Sequence, residues 1–122
     1  MSKLQVFDSS VIIEMLANNA DVITAYKDHP LITIDLAYGE VYYYCLRTSL
    51  DIPTFDSFKF EILDHNLLRI KEAMELRYMM RKRKKDFSFV DALLYIVAKH
   101  NNAILVTKDL AFKGMPNVDL VS

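Results

Sequence analysis

Four acidic side chains occupy positions where a carboxylate is hard to account for as surface decoration. Asp8 ends the apolar run Leu4-Gln5-Val6-Phe7, and Asp109 lies just past the apolar run Ala103–Val106. Glu40 sits between Tyr38 and the run Val41–Tyr44, and Asp91 between Phe89-Val90 and Ala92–Leu94. A carboxylate among apolar neighbours is costly to bury without a partner. A divalent cation shared by the set would remove that cost. Oxygen-only ligands favour Mg²⁺ or Mn²⁺ over zinc.

Each acid also has a plainer explanation. Asp8 can cap a helix, Asp91 completes a Ser88-x-x-Asp91 capping box, Asp109 can be a turn residue, and Glu40 can face water. What favours a shared site is the set: two strand-end acids, two acids in or near the start of apolar helices, and no spare lysine embedded beside them. Other chemistries lack their parts. No Gly-rich turn follows the first strand, so there is neither a P-loop nor a dinucleotide fingerprint, and no Gly-x-Ser-x-Gly elbow is present. The one cysteine excludes a Cys-based zinc site, and His29, His65 and His100 lie apart in sequence without zinc-enzyme spacing. A phosphatase of the aspartyl-phosphate type wants a second aspartate where Ser10 stands, and a receiver wants paired acids near the first strand.

These acids need elements to position them. Leu4–Phe7 reads as a buried strand entering a helix at Asp8-Ser9-Ser10, with Val11, Ile12, Met15 and Leu16 at helical spacing. Asn18-Asn19 interrupts, Asp21–Lys27 reads as a short helix, and Leu31–Ile34 as a second strand after Pro30. Asp35 is placed to cap a helix carrying Leu36, Ala37, Val41, Tyr44, Cys45 and Leu46, and Pro53 breaks the pattern. Phe58–Leu63 suits a third strand nearly as well as a helix. From Asn66 to Lys85 the spacing is helical, with Leu67, Ile70, Met74 and Tyr78 on one face. Ser88 opens a strongly apolar helix to about His100, Asn101-Asn102 stops it, and Ala103–Val106 and Val118–Val121 read as strands flanking a loop with Gly114 and Pro116. Strands alternating with helices imply α/β architecture with a mainly parallel sheet of four to five strands, covered on both faces. Ligands of such sheets bind beyond the strands' carboxyl ends, where strand order reverses.

The chain has 122 residues, 52% hydrophobic and 25% charged, with only two glycines and three prolines. That is enough for one domain with a core, built of long elements and short connections. The lone Cys45 suits a reducing compartment, no signal peptide or membrane span is visible, and a cytoplasmic location is expected. With a net charge of -1, contact with nucleic acid must come from a local patch or through a metal ion. Arg81-Lys82-Arg83-Lys84-Lys85 is such a patch, and also an ordinary solvated helix end. Tyr42–Tyr44 suits packing more than base stacking.

The segments Val6-Phe7-Asp8-Ser9-Ser10-Val11, the helix around Glu40, Phe87–Leu94 and Ile104-Leu105-Val106-Thr107-Lys108-Asp109 together resemble PIN-domain proteins, and most of all the compact toxin-type (VapC-like) members. The likeness runs the length of the chain in the right order. It implies a three-layer α/β/α sandwich and a Mg²⁺- or Mn²⁺-dependent endoribonuclease hydrolysing RNA phosphodiester bonds. Asp8, Glu40, Asp91 and Asp109 would form its acidic metal cluster, with Ser9 and Thr107 as nearby hydroxyls. Arg81–Lys85 would contact RNA phosphates, with Arg47 a lesser contributor. An antitoxin protein and a homodimer are the implied partners. Many toxin-type members carry a further acid just beyond the Thr107-x-Asp109 position, where this chain has Phe112. The alternative to a nuclease is a PIN-like module that binds RNA or protein without cutting.

Overall fold

The computed structural model describes residues 3–50 and 52–121. Five strands form one sheet: β1 (Gln5–Phe7), β2 (Leu31–Ile34), β3 (Phe60–Leu63), β4 (Ile104–Thr107) and β5 (Val118–Leu120). Their order is β3-β2-β1-β4-β5, and every pairing is parallel. The helices are α1 (Ser9–Leu16), α2 (Ala20–Tyr26), α3 (Asp35–Thr48), α4 (Ile52–Ser57), α5 (Leu67–Lys82) and α6 (Phe89–His100), with a 3₁₀ turn at Leu110–Phe112.

Successive residues of a strand point to opposite faces, and the central strands use this to build two cores. Val6 and Leu105 enter one core with Ala73 and Met80 of α5 and Ala92–Ala98 of α6. Their neighbours Phe7 and Val106 enter the other, with Val11, Ile12 and Met15 of α1, Val22 of α2, Val41 and Cys45 of α3 and Phe55 of α4. A sheet buried on both faces is apolar on both, which is why Val6-Phe7 in β1 and Ile104–Val106 in β4 read as continuous runs instead of alternating ones.

Helix stops follow the asparagines: Asn18 and Asn102 adopt φ of 61° and 51° beyond α1 and α6, a left-handed conformation that asparagine tolerates better than most residues. Three expectations need correction. Asp35 is the first residue of α3, not its cap; Ile34 holds that place, and the Asp35 carboxylate accepts from Leu36 N. Pro53 does not merely break a pattern. It lies in the first turn of α4, where its missing N–H costs nothing. On α5, Leu67, Met74 and Tyr78 are exposed, and the face turned to the core carries Ile70, Ala73, Leu76 and Met80. The small Ala73 admits the close approach of α6, which outweighs the bulk of the residues on the other stripe.

Candidate active site

The order of the strands reverses between β1 and β4: the chain leaves β1 toward β2 on one side and returns to β4 on the other. Asp8 follows β1 directly, and its N–H donates to Val106 O at 2.9 Å, extending the β1–β4 ladder by one residue. Register pairs Phe7 with Val106, so Asp8 emerges beside Thr107. Only 3% of Asp8 is exposed. Asp8 is the N-cap residue of α1, as foreseen, but its carboxylate makes no side-chain cap hydrogen bond. It accepts instead from three hydroxyls: Thr107 Oγ1 at 2.7 Å and Ser10 Oγ at 3.2 Å on Oδ2, and Ser9 Oγ at 3.4 Å on Oδ1.

Ser9 also reaches Glu40 Oε1, at 3.2 Å, so one hydroxyl lies between two carboxylates. Glu40 stands on the exposed flank of α3, six residues after the end of β2. Asp91 lies in the first turn of α6, where the capping box forms in full: Asp91 N donates to Ser88 Oγ at 3.0 Å and Ser88 N donates to Asp91 Oδ2 at 3.3 Å. Asp109 N donates to Thr107 Oγ1 at 3.0 Å, and Asp109 Oδ1 accepts from Ala111 N at 2.9 Å, capping the 3₁₀ turn. The structural roles foreseen for Asp91 and Asp109 are therefore real, and in each the hydrogen bond to a backbone N–H is made through one named carboxylate oxygen.

Electrostatics ties the four acids together. Burial raises the pKa of Asp8 above its ordinary value against the pull of the Thr107 and Ser10 hydroxyls and the Ser9 backbone, and the charge of Asp109 adds to the rise. Glu40 is raised by partial loss of hydration and by the charge of Asp8. Asp91 is pushed up to about 6, by burial first and then by the charges of Asp8 and Asp109. Like charges sharing a poorly solvated place resist ionisation together. Among the described residues, no three His, Cys, Asp or Glu side chains close around a single point tightly enough to hold an ion by themselves. A cavity of about 510 Å³ lined by Met15, Ile23, Tyr26, Phe58 and Lys59 contains none of the four acids.

Sequence reasoning missed Ser10. It links Asp8 to the following loop, because its Oγ also accepts from Lys108 N at 3.2 Å. Lys108 Nζ in turn pairs with Glu14 Oε1 at 3.1 Å, and Asn19 Nδ2 holds Glu14 Oε2 at 2.7 Å. The doublet Ser9-Ser10 after a strand-end acid was the available signal. The basic run is not brought into contact with the acids: Arg81 and Lys82 fall in the last turn of α5, Lys82 lies over the Tyr78 ring, and Lys85 Nζ donates to Lys113 O. The histidines, apart in sequence, are partly reunited. His65 and His100 line one small cavity with Arg69, where His65 meets Asp35 and His100 meets Glu72 and Arg69.

Phe112 explains its own departure from an acidic residue. It is fully buried and packs on Phe87 and Tyr95, with ring centroids at 4.7 and 6.1 Å. No uncompensated carboxylate could occupy that place.

A parallel α/β sheet carries, at its strand-order switch, a buried Asp8 linked through Ser9 to Glu40 and through Thr107 to Asp109. The chain belongs to the PIN-domain family, whose sequence model matches residues 6–118. Solved structures agree on the fold. A chain of a toxin–antitoxin complex from Klebsiella pneumoniae is similar with a TM-score of 0.77 at 18% identity, covering 94% of this chain and 95% of that one. A chain of VapBC2 from Rickettsia felis, solved with a DNA fragment from its promoter, has a TM-score of 0.67 at 19% identity and 97% coverage of both. The sarcin-ricin-loop-cleaving toxin VapC20 of Mycobacterium tuberculosis has 0.65 at 18% identity and 91% coverage of both. No curated protein sequence matches the chain.

Proposed function

We propose that this chain is a Mg²⁺- or Mn²⁺-dependent endoribonuclease, the toxin of a toxin–antitoxin pair acting in the cytoplasm. The observation that carries the reading is buried Asp8 at the strand switch, joined through the Ser9 hydroxyl to Glu40 and through the Thr107 hydroxyl to Asp109. The donor set is all oxygen and negative, which suits a hard divalent cation. Membership of the PIN-domain family and the likeness to chains of toxin–antitoxin complexes support the same reading.

In this reading Asp8, Glu40, Asp91 and Asp109 hold the cation, directly or through water. When bound, the cation supplies Lewis acidity toward a phosphoryl oxygen and lowers the pKa of a water molecule. The remaining work falls to the chain. Thr107, Ser9 and Ser10 keep the Asp8 carboxylate in one orientation by donating to both its oxygens. Ser88 and Ala111 N–H groups fix Asp91 and Asp109 through one oxygen each. The Arg81–Lys85 run offsets part of the repulsion between RNA and the acids. An antitoxin would occupy the acidic groove with a cationic side chain, and a symmetric dimer would cover exposed apolar residues such as Met79.

The test is cleavage of a mixed-sequence labelled RNA in Mn²⁺, Mg²⁺ or EDTA, with Asp8→Asn and Asp91→Asn alongside. Metal-dependent cutting lost in both variants is the expected result. RNA bound but left intact under every condition would instead identify a non-catalytic binding module.

A further inference from the structure

From Glu40, one stripe of α3 continues through Tyr43, Tyr44 and Arg47, three, four and seven residues further on. That spacing places them on a single helical face. The neighbouring face, at Ala37, Val41 and Cys45, is buried. Tyr38 and Tyr42 turn the other way, onto Phe55 and, for Tyr38, Phe60 as well. Tyr43 has no such ring partner among the described residues and is 63% exposed. The Arg47 guanidinium carbon lies 5.7 Å from the centroid of the Tyr43 ring and 5.5 Å from that of Tyr44. It makes no ion pair among the described residues.

An exposed ring with a guanidinium beside it that makes no ion pair among the described residues, in line with Glu40, matches the two halves of a nucleotide. The ring offers a π-face to a base, and the cation a partner to phosphate. We propose that this stripe is a track for single-stranded RNA, with a base stacked on Tyr43 and an adjoining phosphate on Arg47, leading the strand along α3 to the acids at Glu40. The inference rests on the ribonuclease reading above. Seven helical residues advance about 10 Å, so the anchored nucleotide lies one short step from the cutting point. A paired strand is excluded because its bases are stacked inside the duplex and present no face to a side chain.

The experiment is fluorescence anisotropy with a labelled oligouridylate, in EDTA so that binding is read apart from cleavage. Tyr43→Ala is expected to weaken binding by roughly fivefold to a hundredfold, while Tyr43→Phe retains it. Arg47→Ala is expected to weaken it and to flatten its salt dependence. Leu67→Ala, an exposed apolar residue on α5 and not on this helix, serves as the control, and thermal melting verifies that each variant folds. Wild-type affinity in Tyr43→Ala overturns the track, as does equal dependence on Tyr43 for duplex RNA. So does a Tyr43→Ala variant that turns a dimer into a monomer while each chain keeps its RNA affinity, since the stripe would then belong to a second copy. The two readings fail separately. Cleavage with an unaltered KM in Tyr43→Ala sinks the track and leaves the nuclease. Tyr43-dependent binding of single strands with no cutting in Mn²⁺ or Mg²⁺ sinks the nuclease and leaves the track in a binding module.

Discussion

Thr107 Oγ1 donates a 2.7 Å hydrogen bond to Asp8 Oδ2, joining residues 99 positions apart. The same oxygen accepts from Asp109 N at 3.0 Å. One buried hydroxyl thus sets the place of one acid and the start of the loop that carries another.

Thr107→Val keeps the shape of the side chain and removes both bonds. It leaves the Asp109 N–H without this partner and takes from Asp8 a donor that opposes its raised pKa. The expected loss of stability is about 1–3 kcal/mol, read from urea denaturation. Carboxyl-carbon NMR should show Asp8 titrating at still higher pH. An unmoved Asp8 titration would mean that the hydroxyl does not control the acid.

The coupled acids also predict a direction for stability against pH. Asp91 rises from 3.8 to about 6 in the folded chain, and Asp8 and Glu40 shift the same way. Between about pH 4 and pH 6 the folded state holds a proton that the unfolded state has lost, so this contribution to stability declines as pH rises through the window. In metal-free buffer, the Tm of the wild type minus that of Asp91→Asn should fall across this range. Parallel melting profiles would argue that burial and its acidic neighbours do not hold Asp91 above its ordinary pKa.

Addition of Mn²⁺ should relieve the same repulsion. A ligand that binds the folded state alone adds about 2.7 kcal/mol at a hundred times its Kd, which for a chain of this length raises Tm by on the order of 10 °C. The shift should vanish in Asp8→Asn. Differential scanning calorimetry with and without Mn²⁺ decides the matter, and a wild type whose Tm stays put would count against metal binding by these acids.

Phe112 gives a fourth test. Phe112→Ala should cost about 3–5 kcal/mol through the cavity left against Phe87 and Tyr95. Phe112→Asp should fail to fold instead of gaining an extra metal ligand, because its carboxylate would have to enter that core. A well-folded Phe112→Asp chain, judged by circular dichroism and calorimetry, would show that the position can turn outward.

Where the sequence was legible, burial made it so. The acids Asp8 and Asp109 stood out because Val6-Phe7 in β1 and Ile104–Val106 in β4 are continuous apolar runs, and a carboxylate at the end of such a run is conspicuous. Ser88-x-x-Asp91 was legible as a cap because the capping box is local in sequence. The buried face of α5 was not, because Ala73 carries almost no hydrophobic signal, while the conspicuous Leu67 and Tyr78 point outward. The helix α4 was hidden by Pro53, which marks a first turn as readily as a break. Ser10 escaped notice because its two partners, Asp8 and Lys108, lie on opposite sides of a contact between distant segments. Spacing along the chain carries no record of such contacts.

The central pairing of β1 with β4 has a consequence for synthesis. Asp8 acquires its 2.7 Å partner only when Thr107 has been made and has cleared the ribosome, and Asp109 follows two residues later. Until then a nascent chain carries its first acid without the strand that orients it, however well the helices α1 to α5 have formed. On the ribonuclease reading, the acids stay unassembled until β4 has joined β1, whatever else has folded.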